Sequence, residues 1–239
     1  MPNLIKKETL EILDHWEKGL TNLQIANMLD VPVKKVICLL NRKGLKSNRY
    51  EIIDESKIIH LLIGSYLGDG HFSKFQKGQE SKLAINHGAD QKDYLNWKYE
   101  KLKEVNLHNT IFSNSSSTVF TTKSKSHPIF SKFRTEGYDN LKGTLNLNLV
   151  KDLNSESFSI WYLDDGSVTN DGANITCMSL CYEEKEILKN LIFKNIGLEV
   201  NITSNSLYIP KKEVEKFQNI VRPYCINSML YKLVPYHQR

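Results

Sequence analysis

The chain has 239 residues, 40% of them hydrophobic and 25% charged, with a formal net charge of +5. That length buries a full core in one large or two smaller domains, and the composition excludes a disordered or fibrous chain. A mildly basic total selects no partner, but the charge is unevenly distributed. Lys34, Lys35, Arg42, Lys43, Lys46 and Arg49 occur between Val33 and Arg49 with no acid among them. Lys123, Lys125, Lys132 and Arg134 do the same between Val105 and Arg134. Stretches of one sign broken by Ser, Thr and Asn suit a surface that tracks phosphates. The charges at Lys6, Lys7, Glu8, Glu11 and Asp14 leave no secretory core near the start. The longest apolar run, Ile58 to Leu67, is too short to span a membrane. Four cysteines without metal-site spacing read as reduced, packing thiols. A soluble, unexported protein of the cytoplasm or an organellar matrix is expected.

Residues 1–50 read as a compact helical unit. Leu10, Ile12, Leu13 and Trp16 recur at helical spacing before Gly19. A short helix follows, capped by Thr21, with Leu23, Ile25, Ala26 and Leu29 turned inward. Asp30-Val31-Pro32 makes a tight turn into a second helix that starts at Val33, buries Val36, Ile37 and Leu40, and ends at Gly44. This is a helix-turn-helix pattern, with small Ala26 where the helices cross. Its second helix would present Lys34 and Lys35 to a major groove, with Arg42 and Lys43 nearer the backbone.

After a polar linker at 47–54 the chain carries an internal repeat. The first unit, 51–150, opens with a helix from Ser56 to Gly68 that ends at Asp69-Gly70. Strands at 71–76 and 82–87, a helix at 90–105, strands at 110–113 and 118–123 and a helix at 127–136 complete it. The second unit, 151–239, opens with a helix from Ser155 to Leu163 that ends at Asp164-Asp165-Gly166. Strands at 167–169 and 174–179, a helix at 182–196, strands at 199–203 and 206–209 and a helix at 211–221 follow. Both run αββαββα, and Asp69 and Asp165 occupy equivalent places 96 residues apart. The fold class is therefore α+β: duplicated αββαββα units in a pseudo-two-fold saddle, plus a small all-α N-terminal domain.

The segments Leu62-Ile-Gly-Ser-Tyr-Leu-Gly-Asp-Gly70 and Phe158-Ser-Ile-Trp-Tyr-Leu-Asp-Asp-Gly166, with the closing Met229-Leu-Tyr-Lys-Leu233, resemble single-chain, two-motif LAGLIDADG homing endonucleases of the intron-encoded type. The resemblance covers roughly residues 55 to 235. It implies cleavage of both strands of a long, specific DNA site by a monomer, leaving short 3′ overhangs. It also implies two or three divalent ions, Mg²⁺ by preference, shared between Asp69 and Asp165, with Gly68 and Asp164 as main-chain or neighbouring ligands. Lys232 and Lys142 are the basic helpers, although Lys142-Gly143-Thr144 departs from the family's adjacent lysines and proline.

The residues fit this chemistry. Gly64 and Gly68, four apart, give one motif helix a small face for close packing. Asp69 and Asp165 stand where the negative end of a helix disfavours an unneutralised carboxylate, which suits a hard cation. On the strands, polar residues facing away from the core offer contacts to bases and phosphates: His71, Ser73, Asn86, His87, Thr121, Lys123, Lys125, Asn174, Thr176 and Asn201. Two other readings stay open, an intron RNA maturase and a non-cleaving DNA-binding regulator. Retention of both acids weighs against the regulator.

Overall fold

The computed structural model describes residues 2–45, 50–73, 80–113, 118–134 and 145–233, with side chains from residue 7 onward. The chain divides into two compact units, Met1–Asp54 and Glu55–Arg239.

Among its described residues the first unit contains three helices, α1 (Pro2–Glu17), α2 (Asn22–Met28) and α3 (Val33–Arg42). Thr21 opens α2 with a reciprocal cap: its hydroxyl accepts the Gln24 amide at 3.3 Å, and the Gln24 side chain accepts the Thr21 amide at 2.8 Å. Asp30 takes a positive φ of 51° between α2 and α3. Ile12, Ile25, Ala26, Val36 and Leu40 form the core, with Leu13, Trp16 and Leu29 packed at its edge. Leu23 does not join them. It is 59% exposed, because two residues of helix turn it about 200° away from Ile25, and a seven-residue helix has one inward stripe. Leu10 likewise faces solvent.

The second unit is built twice over. In its first half a short 3₁₀ turn leads into α4 (Ile59–Leu67), followed by β1 (Gly70–Phe72), β2 (Leu83–Gly88), α5 (Lys92–Glu104), β3 (His108–Ser113), β4 (Val119–Ser124) and α6 (Pro128–Lys132). One extra turn, α7 (Leu147–Val150), precedes the second half. That half comprises α8 (Ser155–Asp165), β5 (Gly166–Thr169), β6 (Gly172–Thr176), α9 (Tyr182–Ile196), β7 (Asn201–Ile202), β8 (Ser206–Pro210) and α10 (Val214–Val221), and closes with 3₁₀ turns through Lys232. The two antiparallel sheets have the same strand order, β1-β2-β4-β3 and β5-β6-β8-β7.

The strands alternate as a half-buried pleat requires. Leu83, Ile85, Leu207 and Ile209 face the core, while Asn86 and Lys123 face outward. Strand β6 begins two residues earlier than the sequence pattern suggests. Thr169 pairs with Gly172, so Asn170 and Asp171 form the turn and β6 ends at Thr176.

At the centre α4 lies against α8. Gly64 and Gly68 make that approach possible. A Cβ on Gly64 would lie 2.6 Å from the Ile160 Cβ, and one on Gly68 would lie 2.6 Å from an Asp164 carboxylate oxygen. α8 is buried all round from Ser157 to Asp164, as a helix in the middle of a core must be. Ile160 fills the space that Gly64 leaves, whereas Tyr162 packs away from the helix pair. Tyr162 meets Phe217 of α10 edge-on at 4.6 Å and donates to the Lys232 carbonyl.

Candidate active site

The two motif helices end at the same place. α4 stops at Leu67, so the Asp69 amide lies beyond its hydrogen-bond ladder. It donates instead across the helix pair to Asp164 Oδ2 at 3.1 Å. The Asp164 carboxylate is fully buried and its other oxygen accepts from Lys98 Nζ at 2.5 Å. Lys98 rises from α5, is itself fully buried, and lies 4.5 Å from the Tyr94 ring centroid.

His87 of β2 completes this layer. Its Nε2 is 3.3 Å from Lys98 Nζ and its Nδ1 is 3.0 Å from Gln91 Oε1. A neutral ring donating from Nδ1 to Gln91 and accepting from Lys98 at Nε2 satisfies both contacts. Gln91 in turn donates to the Tyr231 hydroxyl at 2.8 Å, and next to it Lys232 Nζ donates to the Asp164 carbonyl at 2.8 Å.

Three carboxylates thus converge on two lysines. Burial, and after it the Asp69 and Asp164 charges, push the Asp165 carboxyl up to about 7 against the pull of Lys232 and Lys98. Asp69 is raised in the same way, by burial first and Asp164 second. Burial also lowers Lys232, and with the charge of Lys98 it brings His87 down to about 4. The site is short of positive charge, and the deficit falls on Asp69 and Asp165.

Among the described residues, Asp69, His87 and Asp164 form the one group whose ligand atoms lie within 4.8 Å of one another. Two of its members already have partners: Asp164 holds Lys98 and the Asp69 amide, and the His87 lone pair faces Lys98. The carboxylate oxygens left to a cation belong to Asp69 and Asp165. This hard-oxygen set fits a divalent metal of the Mg²⁺ kind.

The model of the LAGLIDADG DNA endonuclease family matches residues 59–217. The chain belongs to that family. Among curated relatives it is 26% identical over 234 residues to protein RecA of Mycobacterium gastri, covering 88% of this chain and 53% of that one. It is 26% identical over 225 residues to the cytochrome b mRNA maturase bI2 of Saccharomyces cerevisiae, covering 83% and 52%. The chain spans about half the length of these relatives. The homing endonuclease I-WcaI, solved bound to its DNA recognition sequence, superposes with a TM-score of 0.62 at 23% identity, covering 84% of this chain and 92% of that one. The α+β fold of the second unit is thus that of the LAGLIDADG endonucleases.

The other residues singled out from the sequence divide into three groups. His71, Asn86, Thr121 and Lys123 share the outward face of the first sheet: His71 pairs with Ala84, Asn86 with Thr121, and Ala84 with Lys123. Thr121 donates to Asn86 at 2.5 Å, and Lys123 lies 5.4 Å from the Phe112 ring. Asn174, Thr176 and Asn201 share the corresponding face of the second sheet through Tyr208 and Ser206. Lys125, just past β4, donates to Asn106, and Ser73 accepts the Lys82 amide at the sheet end. His87 is the correction. It is 3% exposed, two residues beyond Ile85 on the same inward face, so the alternation that turns Asn86 outward turns His87 in. Lys142 lies outside the described residues.

Lys98 escaped the sequence reading, yet it left a signal. It stands four residues after Tyr94 and four before Leu102, a lone cation in the buried stripe of α5.

The Asp165 shift has a consequence for stability. An unfolded aspartate titrates near about 3.9, so the folded chain holds an extra proton between roughly pH 4 and 7. This contribution is fully present below about pH 4 and is lost as the pH rises through about 7. In metal-free buffer Asp165→Asn should therefore be more stable than wild type at pH 7.5, by about 1–2 kcal/mol after screening is allowed for. The gain should shrink towards pH 4.5. Denaturant unfolding at the two pH values measures it, and an equal difference at both would contradict the assignment.

Proposed function

We propose that the chain is a site-specific endonuclease that cuts both strands of duplex DNA with Mg²⁺, acting as a monomer in a reducing compartment. The observation that carries this reading is the pair of under-neutralised carboxylates, Asp69 and Asp165, brought together at the ends of two packed, sequence-equivalent helices. Two motifs in one chain supply both acids, so one copy suffices.

In this reading Asp69 and Asp165, with the Gly68 and Asp164 carbonyls, hold two or three divalent cations. Such ions supply a water of lowered pKa and countercharge for the leaving oxygen. Lys232, anchored on the Asp164 carbonyl, offers its remaining donors to the extra negative charge on the phosphate. The outward faces bearing His71, Asn86, Thr121, Lys123, Asn174, Thr176 and Asn201 carry the donors and acceptors that read base edges in a groove. Ser73 and Lys125 lie where contacts to the backbone would extend that face.

Asp69→Asn and Asp165→Asn should each abolish double-strand cleavage in Mg²⁺, measured on a duplex selected by the wild-type chain from a randomised library. Binding of that duplex should persist. Full cleavage by either variant would remove that residue from the catalytic set. The likeness to the yeast maturase favours a second reading, assistance of intron RNA folding. It would show as protein-dependent splicing of a precursor RNA with the duplex left uncut.

The N-terminal unit is read as an added DNA contact. Lys34 and Arg42 on α3 and Lys43 just past its end are exposed, whereas Lys35 is paired with Glu8 at 2.6 Å. If Arg42 and Lys43 meet phosphates, changing both to Ala lowers the slope of log K against log salt by up to about two units, on specific and unrelated duplexes alike. A salt titration giving unchanged slopes would show that this face does not meet DNA.

A further inference from the structure

The two halves are equivalent in backbone and unequal in chemistry. Gly70 pairs with Ile85 in the first sheet and Gly166 with Ile175 in the second, so these partners correspond. The same offset of 90 residues carries His87 to Cys177. It also carries the buried stripe of α5 (Tyr94, Leu95, Lys98, Leu102) onto that of α9 (Glu184, Lys185, Leu188, Ile192). Lys98 therefore corresponds to Leu188, and the His87–Lys98 pair corresponds to Cys177 and Leu188, both buried and neither able to hold a carboxylate. One step before each motif acid, Gly68 corresponds to Asp164.

This pairing gives the first half something the second lacks. Asp164 reaches over Gly68, where any side chain would collide with it, and takes up the Asp69 amide left over at the end of α4. Gly68 has no side chain to return the contact, and α8 runs on through Asp165, keeping the second acid inside its helix. Lys98 balances the Asp164 charge from the far side and fixes the direction of its carboxylate.

Building on the nuclease reading above, we propose that Lys98 and Asp164 form a positioning pair that sets the place of Asp69 and not that of Asp165. The strand served by Asp69 depends on the pair, and the other strand does not.

The test is strand-resolved cleavage of the selected duplex in Mg²⁺, with a different dye at each 5′ end. Two double variants avoid stranding a buried charge. Lys98→Met with Asp164→Leu fills the same space but offers the Asp69 amide no acceptor. Lys98→Met with Asp164→Asn is equally uncharged and keeps a side-chain oxygen for it. In the Leu variant the rate on one strand should fall about tenfold or more, and the other should change by no more than about threefold, so nicked duplex accumulates. The Asn variant should recover the affected strand to within about threefold of wild type. Equal losses on both strands, or Leu and Asn variants that behave alike, would assign the pair a structural role and overturn the proposal. A wild-type chain that cuts neither strand would overturn the nuclease reading, and this inference with it.

Discussion

The close approach of α4 and α8 governs the rest of the molecule. Two helices meet this tightly only where one of them lacks side chains, and Gly64 and Gly68 provide that face. Because the chain is duplicated, the same approach that closes the core also brings the ends of both helices together. Asp69 and Asp165 are thus delivered to one place by packing, and their electrostatic cost follows from it. Burial raises both acids, with the Asp164 charge adding at Asp69 and the Asp69 and Asp164 charges adding at Asp165, and the nearby lysines do not cancel the effect. The core contributes the stability that holds two uncompensated carboxylates side by side, an arrangement that a cation would relieve.

Much of this was legible in the sequence. The repeat, the α+β class, the Thr21 cap and the small face of α4 follow from periodicity, capping chemistry and spacing. The family follows from two motif copies. What escaped the reading has identifiable causes. His87 looked like one more polar strand residue, although counting by twos from Ile85 places it inside. Leu23 looked apolar enough for a core, but a two-turn helix has only one buried stripe.

Lys98 illustrates the deeper limit. Its position on the buried stripe of α5 can be read from the sequence, but its partner cannot. Asp164 comes from the other half of the chain, 66 residues away, and the pair exists because Gly68 leaves room for the carboxylate. A buried ion pair is weak evidence for stability, since apolar residues of similar size often serve as well. Leu188 at the corresponding position of the second half shows that this fold accepts the apolar alternative. Retaining a charge at this one position in the first half alone is what the positioning proposal explains.

We propose that Asp69 and Asp165 are the open metal ligands, since the His87 and Asp164 side chains are already engaged by Lys98. Mn²⁺ binding to the protein–duplex complex, followed by electron paramagnetic resonance, tests this most directly. Wild type and His87→Ala should bind Mn²⁺ alike, and the Asp69→Asn/Asp165→Asn double variant should not bind it. Loss of Mn²⁺ in His87→Ala, or its retention in the double variant, would contradict the account.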